Sequence, residues 1–187
     1  MQELSLNVLD IVQNSIKANA TLIEITVDER VKTDTLAITI TDNGCGMSEE
    51  TAQKAVDPFY TTRTTRRVGL GLPLFKMAAE LTGGSFTISS QQGKGTEVKA
   101  VFGLGHIDRM PLGNMCETMT TLISCNDHID FVYRHTVCDI NDEESAFELD
   151  TRQFRQILGD VPLSSPEVVA FIRDYITEND VVLNSRG

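Results

Sequence analysis

Three polar side chains that could take part in chemistry fall on one face of the first helical segment. Asp10 and Asn14 are four residues apart and Lys17 follows three residues later, so a helix points all three to the same side. A carboxylate can activate a nucleophile, a carboxamide oxygen can bind Mg²⁺, and an ammonium group can contact phosphate. The same spacing is also typical of a solvent-exposed surface, so this group alone does not distinguish a site from a plain helix face.

Glycine-containing segments could bring a ligand close to the backbone at further points of the chain. DNGCGM at 42–47 follows the alternating run LAITI, and GLGL at 69–72 stands before another helical segment. Glycine lets a ligand approach the main chain, and the free amides at the start of a helix attract phosphate. GKGT at 93–96 is typical of a hairpin turn. Each segment alone is also compatible with an ordinary turn.

The hydrophobic pattern predicts the elements that must position these residues. Helical spacing of apolar residues predicts helices at about 4–18, 48–56 and 73–81. Alternation predicts strands in TLIEITVDE, TLAITIT, SFTISS and EVKAVFGL. This order favours an α+β fold in which helices pack on one face of a mainly antiparallel sheet.

Taken in order, five motifs resemble the GHKL superfamily, which includes DNA gyrase, heat-shock chaperone ATPases, histidine kinases and DNA mismatch-repair ATPases. LDIVQNSIKANAT looks like the N box, DNGCGM like the first glycine box, DPFYTTR like the F box, and GLGL and GKGT like the second and third glycine boxes. The first two are similar to mismatch-repair ATPases, and the rest looks like the catalytic domain of sensor histidine kinases. This resemblance over residues 4–103 implies a two-layer α/β sandwich of the Bergerat type, with helices on one face of a mixed, mainly antiparallel sheet.

The resemblance further implies that the chain binds ATP and Mg²⁺. In the family pattern, Asp42 accepts a hydrogen bond from the adenine amino group, and Asn14 coordinates the metal. The other nucleotide contacts implied by the resemblance are Lys17, Gly44, Gly46, Met47, Phe59, Arg63, Gly69, Leu70, Gly71, Leu72 and Thr96. The stretch 59–69 corresponds to the ATP lid, in which Arg63, Arg66 and Arg67 would reach the triphosphate.

Asp10 stands where hydrolysing members of the superfamily and the related serine kinases carry glutamate. Aspartate is shorter by a methylene group, so we expect a general base with reduced reach and slow turnover. The chain starts at the N-box helix, so we do not expect autophosphorylation on a histidine domain of its own. Two functions stay open. The first is an ATP-dependent protein kinase or ATPase with Asp10 as its catalytic residue, and the second is an ATP-sensing switch that binds a partner protein.

The charge distribution divides the chain near GLGHIDRMPLGN at 103–114. Residues 1–103 carry 12 acidic and 10 basic residues, whereas 104–187 carry 15 acidic and 6 basic residues and no lysine. We therefore expect an ATP-binding domain at 1–103 and a small acidic α/β annex of unknown role at 104–187, in which Thr151 and Ser165 cap helices. This acidity argues against nucleic acid as a partner, because affinity for nucleic acid depends mainly on lysine and arginine.

The compartment and the thiol chemistry follow from composition. No apolar run approaches the roughly 20 residues of a membrane span and no signal-type segment opens the chain, so we expect a cytoplasmic protein without membrane contact. The four cysteines are then expected to be reduced. Cys125-x2-His128 and His135-x2-Cys138 have spacing seen in zinc sites, but strand alternation favours buried thiols and ordinary histidines there.

Overall fold

The computed structural model describes residues 3–57 and 70–184, and this part forms six helices and a six-stranded sheet. The helices are α1 (Leu4–Lys17), α2 (Glu49–Ala55), α3 (Gly71–Leu81), α4 (Met115–Cys125), α5 (Thr151–Leu158) and α6 (Pro166–Asn184). The strands are β1 (Leu22–Arg30), β2 (Thr35–Asp42), β3 (Ser85–Gln91), β4 (Gly95–Gly103), β5 (Asp130–Cys138) and β6 (Glu144–Asp150). The helices and strands expected from the periodicity of residues 4–103 are present, with ends that differ by a few residues.

The sheet is mixed and mainly antiparallel. Its strand order is β3-β4-β2-β1-β5-β6, and every neighbouring pair is antiparallel except β1 with β5. β1 and β5 run in parallel in register from Leu22 opposite Asp130 to Arg30 opposite Cys138. Because β1 pairs with β2 on one side and β5 on the other, it lies in the middle of the sheet.

One face of the sheet carries the hydrophobic core. Along β1, Ile23 and Ile25 are fully buried, whereas Glu24 between them is exposed on the opposite face. Helical residues join the same cluster: Leu4, Val8, Ile11, Val12, Phe75, Ala79, Met119, Leu122, Ile172 and Ile176. The predicted α+β class, with a helical layer on one face of a mixed sheet, is confirmed.

Residues beyond 103 contribute to the same sheet and the same core. Phe131 and Tyr133 of β5 are fully buried and belong to the cluster that contains Ile25 of β1. The strands of the second segment thus extend the sheet of the first. The division into two domains at 1–103 and 104–187 stays a prediction.

Helix starts differ in detail from the sequence-based expectation. Ser48 caps α2, because its side chain accepts from the Thr51 amide at 3.2 Å. The expected cap at Thr151 is wrong, since the Asp150 carboxylate accepts from the Arg152 amide at 2.9 Å. Ser165 donates its hydroxyl to the Pro162 carbonyl at 2.7 Å instead of accepting from the helix. Within the described ranges, no helix combines the length and the apolar character needed to cross a bilayer.

Candidate functional site

The first wall of the candidate site comes from the C-terminal half of α1. Asn14 and Ser15 line a cavity beside this helix, together with Ile11 and Ala18. The Asn14 side chain is exposed and makes no hydrogen bond with any described residue, so its amide oxygen is available to a ligand. Lys17 is exposed in the last turn of the same helix but does not line the cavity.

Asp42 ends β2 and is held from two directions. The Ser15 hydroxyl donates to Oδ2 of Asp42 at 2.6 Å, and the Gly44 amide donates to Oδ1 at 2.9 Å. These bonds fix the plane of the carboxylate, and each oxygen keeps a further lone pair for another donor. Asp42 is thereby prepared to accept a hydrogen bond from a group inside the cavity.

The glycine loop after Asp42 is hydrogen-bonded to the end of α1 and to the turn between β3 and β4. The Cys45 amide donates to the Ala18 carbonyl at 2.9 Å, and the Cys45 carbonyl accepts from the Gly93 amide at 2.7 Å. Gly46 has a φ of 63°, and a Cβ atom there would lie 2.0 Å from the Gln91 carbonyl oxygen. Only glycine fits this position, because the loop passes close to the end of β3.

Thr96 faces Asp42 across the sheet and belongs to a second polar group. Thr96 and Asp42 are register partners in the β2–β4 pair. The Thr96 and Ser90 hydroxyl oxygens are 2.8 Å apart, and Ser90 Oγ also accepts from the Met47 amide at 2.8 Å. Ser90 therefore connects the threonine to the glycine loop.

These side chains enclose a cavity of about 120 Å³. Its lining consists of Ile11, Asn14, Ser15, Ala18, Asp42, Cys45, Gly46, Met47, Leu72, Ile88, Thr96 and Val98. Apolar walls with a few convergent polar groups are typical of small-molecule sites. Larger concavities of about 400 and 560 Å³ lie at the β5–β6 turn and between α4 and α6, but neither is lined by any described residue of the five motifs. The smaller cavity is thus the better candidate site.

The start of α3 closes the cavity on the side of Asp10. Leu72 lines the cavity, and Gly71 lies so close to α1 that a Cβ atom there would be 3.2 Å from Cβ of Asp10. Asp10 is exposed and makes no hydrogen bond or ion pair with a described residue. The carboxylate therefore lies beside the N-terminus of α3 and outside the cavity lining.

The structure brings together many of the residues that the resemblance singled out. Six of them line the cavity: Asn14, Asp42, Gly46, Met47, Leu72 and Thr96. Gly44 contacts Asp42 through its amide, and Asp10 and Gly71 adjoin each other at the edge of the site. Lys17 and Leu70 do not line the cavity. Phe59, Arg63 and Gly69, as well as Arg66 and Arg67, lie outside the described residues.

Sequence reasoning missed Ser15 and Ser90. Ser15 is 4% exposed on α1, at a position whose spacing from Val8 and Ile11 predicts a core residue. Ser90 follows Phe86 and Ile88 on the side of β3 that faces the helices. For Ser15 and Ser90, the available signal was a hydroxyl side chain at a position where the helical or strand period predicts an apolar residue.

Comparisons with known proteins agree with this geometry. The family model described as histidine kinase-, DNA gyrase B-, and HSP90-like ATPase matches residues 2–106. A sensor protein of Shewanella frigidimarina is 34% identical over 109 residues, which cover 57% of this chain and 17% of that protein. The signal transduction histidine-protein kinase ArlS of Staphylococcus aureus is 35% identical over 96 residues, which cover 49% of this chain and 21% of the kinase. The chain thus spans about a fifth of the length of these relatives.

A solved structure is similar in fold to a larger part of the chain. The crystal structure of the N-terminal domain of a DNA repair protein matches with a TM-score of 0.54 and 17% identity, covering 80% of this chain and 53% of that chain. This coverage is larger than that of the family model, so the shared fold includes part of the chain after residue 106. The family model matches more than half of the chain, and all described residues that line the cavity lie within the matched part. The chain therefore belongs to the family of histidine kinase-, DNA gyrase B- and HSP90-like ATPases.

Proposed function

We propose that the chain binds Mg-ATP in the cavity between α1, β2 and β4 and uses it as an ATP-dependent phosphotransferase or ATPase. The observation that carries this proposal is the Asp42 carboxylate, which the Ser15 hydroxyl and the Gly44 amide hold in a fixed orientation at the cavity wall. A fixed carboxylate accepts from the amino group of adenine, whereas the oxo group of guanine is repelled.

The walls of the cavity suit a purine ring. Ile11, Leu72, Ile88 and Val98 supply apolar surface on the sides of the site, and Thr96 supplies a hydroxyl next to Asp42. Adenine would lie between the apolar side chains with its amino edge toward Asp42. The Thr96 hydroxyl, oriented by Ser90, would donate to or accept from the same edge.

Asn14 fits the family's requirement for Mg²⁺. Its carboxamide is exposed at the cavity wall and has no hydrogen-bond partner among the described residues. Mg²⁺ prefers oxygen ligands and commonly takes few from the protein and the rest from phosphates and water. Bound there, the metal would neutralise charge on the phosphates.

The phosphate groups would extend from the cavity toward the start of α3. Leu70, Gly71 and Leu72 stand at the N-terminus of this helix, whose amides and dipole favour an anion. Lys17 lies in the last turn of α1, three residues beyond Asn14, and is exposed for contact with phosphate. Phe59, Arg63 and Gly69 complete the proposed set.

Asp10 is the proposed general base. Its carboxylate would take a proton from water or from a hydroxyl group of a substrate protein as that oxygen attacks the terminal phosphate, while the bond from this phosphate to the bridging oxygen breaks and ADP leaves. The exposed position of Asp10 beside Gly71 leaves room for such a nucleophile at the edge of the site.

A regulatory role is proposed because the two relatives are named as a sensor protein and a signal transduction kinase. We also propose a cytoplasmic location.

A second candidate function is an ATP-sensing switch that binds a partner protein without turnover. It is favoured by the surroundings of Asp10, which has no hydrogen-bond or ion-pair partner among the described residues and does not line the cavity. General bases are ordinarily oriented by a neighbouring group. Ordering of the segments around bound nucleotide would then transmit the signal.

Calorimetric titration with Mg-ATP tests the nucleotide site. We expect Asp42→Asn to weaken binding by at least about tenfold, because the amide replaces a charged acceptor and disturbs the bonds to Ser15 and Gly44. Asp160→Asn changes an exposed acid on another part of the molecule and should bind ATP like the parent. Equal affinities for the parent and Asp42→Asn would refute the assigned role of Asp42, and absence of binding by the parent would refute the proposed function.

A single-turnover experiment with ATP labelled on the terminal phosphate separates the two candidates. If the chain is catalytic, the parent releases or transfers label in the presence of Mg²⁺, and Asp10→Asn slows this step by about 100-fold or more while its affinity for ATP stays within about threefold. If the parent and Asp10→Asn are equally inert although both bind ATP, the switch is supported.

A further inference from the structure

The surface formed by α5 and α6 carries an aromatic side chain that the core does not use. Phe171 of α6 is 56% exposed and is the one exposed aromatic residue in the described part of the chain. Ile157 of α5 is 82% exposed and lies one turn beyond Phe154. Large apolar side chains that gather on a surface mark sites of interaction.

Phe171 belongs to a contiguous aromatic group, here called the aromatic patch and defined as Phe154, Phe171 and Tyr175. The Phe171 ring stacks on Tyr175 with centroids 6.4 Å apart and meets Phe154 edge to face at 5.8 Å. The Tyr175 hydroxyl donates to the Glu148 carbonyl of β6 at 2.9 Å. These contacts hold the rings in place, so a partner could bind them without first ordering the surface.

Carboxylates of α6 surround the exposed side of Phe171. Glu167, Asp174 and Glu178 are spaced four residues before, three residues after and seven residues after Phe171, so they lie on the same helix face. All three are exposed, and none forms an ion pair with a described residue. The nearby arginines of α5 form ion pairs with other carboxylates, because Arg152 pairs with Asp150 and Arg155 pairs with Asp130. Arg173 of α6 is two residues beyond Phe171, on another face of the helix, and lines the concavity between α4 and α6. The rim of the patch is therefore negative on the side of Phe171.

We propose that the aromatic patch and its acidic rim form a docking surface for a basic, amphipathic helical segment of a partner protein. An apolar residue of that segment would pack on Phe171, and lysine or arginine side chains would pair with Glu167, Asp174 and Glu178. This is a helix-on-surface mode of recognition, in which apolar anchors supply affinity and charges supply specificity.

Charge decides against the other possible occupants. An anionic membrane would be repelled by the three carboxylates that flank Phe171. A second copy of the chain carries a net charge of -11 and would place the same carboxylates against each other across a symmetric interface. Only a cationic partner satisfies the apolar and the charged parts of the surface together.

The proposed docking surface is separate from the nucleotide cavity. No residue of α5 or α6 lines that cavity. The surface gives the proposed partner-binding switch a location, but docking as such does not require nucleotide. The test is therefore made first without ATP, so that failure of nucleotide binding and failure of docking are seen separately.

The probe is a short synthetic peptide of leucine and lysine arranged with helical periodicity and labelled for fluorescence anisotropy. A peptide of the same composition with its leucines scattered around the helix serves as the first control. We expect Phe171→Ser to weaken binding of the periodic peptide by about tenfold or more, because it removes the anchor at the centre of the patch. Leu81→Ser removes a comparably exposed apolar side chain from α3 and should change the affinity less than about twofold.

A charge series keeps the proposal testable if Phe171→Ser disturbs folding. The combined variant Glu167→Gln, Asp174→Asn and Glu178→Gln changes only exposed positions, and we expect it to weaken binding about tenfold or more. The matched variant Glu49→Gln, Glu97→Gln and Asp108→Asn makes the same change in net charge elsewhere and should bind like the parent. Equal binding by both charge variants, equal binding of both peptides, or no binding by the parent would overturn the proposal.

Discussion

At the scale of single residues, two serine hydroxyls organise the polar side of the cavity. Ser15 donates to Asp42 at 2.6 Å, and Ser90 joins Thr96 to the Met47 amide. A hydrogen bond to a carboxylate is stronger than one between neutral groups, so Ser15 fixes the orientation of Asp42. The hydroxyls therefore determine where the acceptors of the site stand before any ligand enters.

Substitution of two neighbouring serines on β3 tests whether the Ser90 hydroxyl orients the polar groups of the cavity. We expect Ser90→Ala to weaken Mg-ATP binding by about 3–10-fold and to lower the free energy of unfolding by about 1–2 kcal/mol, because the Met47 amide and Thr96 lose a partner. Ser89→Ala is the control, since Ser89 lies on the opposite face of the strand and is exposed. Calorimetry and urea unfolding measure both quantities, and identical behaviour of the two variants would contradict the role of Ser90.

At the scale of elements, a buried histidine joins α6 to the sheet. The Nε2 atom of His135 on β5 lies 2.9 Å from a Glu29 carboxylate oxygen of β1, and its Nδ1 atom lies 3.2 Å from a carboxylate oxygen of Asp180 on α6. Burial alone would lower the pKa of His135, but the hydrogen bonds and charges of Asp180 and Glu29 outweigh it and raise the pKa from 6.5 to about 9. His135 is therefore protonated at neutral pH and bridges the two carboxylates.

This bridge predicts a pH dependence of stability. The pKa of His135 is higher in the folded chain than in the unfolded chain, so protonation stabilises the fold. The contribution, at most about 3 kcal/mol, is complete below about pH 6.5 and is lost as the pH rises through about 9. Urea unfolding at a series of pH values should show this decrease for the parent.

His135→Gln isolates the bridge from other groups that titrate at alkaline pH. We expect the variant to be less stable than the parent at about pH 6 and to lose the part of the pH dependence that belongs to the imidazole. An unfolding free energy that falls equally in parent and variant between about pH 6.5 and 9 would show that His135 does not carry the effect.

At the scale of the whole molecule, the described residues share one sheet and one core. β1 has β2 on one side and β5 on the other, and Phe131, Ile172 and Ile176 belong to the cluster that also contains Val8. Removal of the chain after 103 would leave β1 with an unpaired edge and would uncover the helical side of the core. The segment 104–187 thus supports the structure in which the cavity lies.

Truncation tests whether 1–103 is independent. We expect the full chain to unfold in one calorimetric transition and a fragment of residues 1–103 to lack a cooperative transition, because it loses the pairing of β5 with β1 and the cover of α4 and α6. Two transitions in the full chain, or a fragment that unfolds cooperatively, would instead establish 1–103 as a separate domain.

Much of the fold was predictable from local patterns. The helix at Leu4–Lys17 follows from apolar residues that recur at its own period, and the strand at Thr35–Asp42 follows from alternation. The relative positions of Asp10 and Asn14 are also local, since they depend only on helical geometry. Motif order along the chain then sufficed for the family resemblance.

Contacts between distant residues were not predictable in this way. Ser15 and Asp42 are 27 residues apart, and Glu29 and His135 are 106 residues apart. Propensity and period describe neighbours in the chain, whereas these contacts depend on which strands pair and in what register. The sequence by itself determined the elements, the motif order and the family. Only the tertiary structure decided that β5 joins β1, that Ser15 and Ser90 hold the cavity's polar groups, and that Phe171 is left exposed, because each depends on the packing of the whole chain.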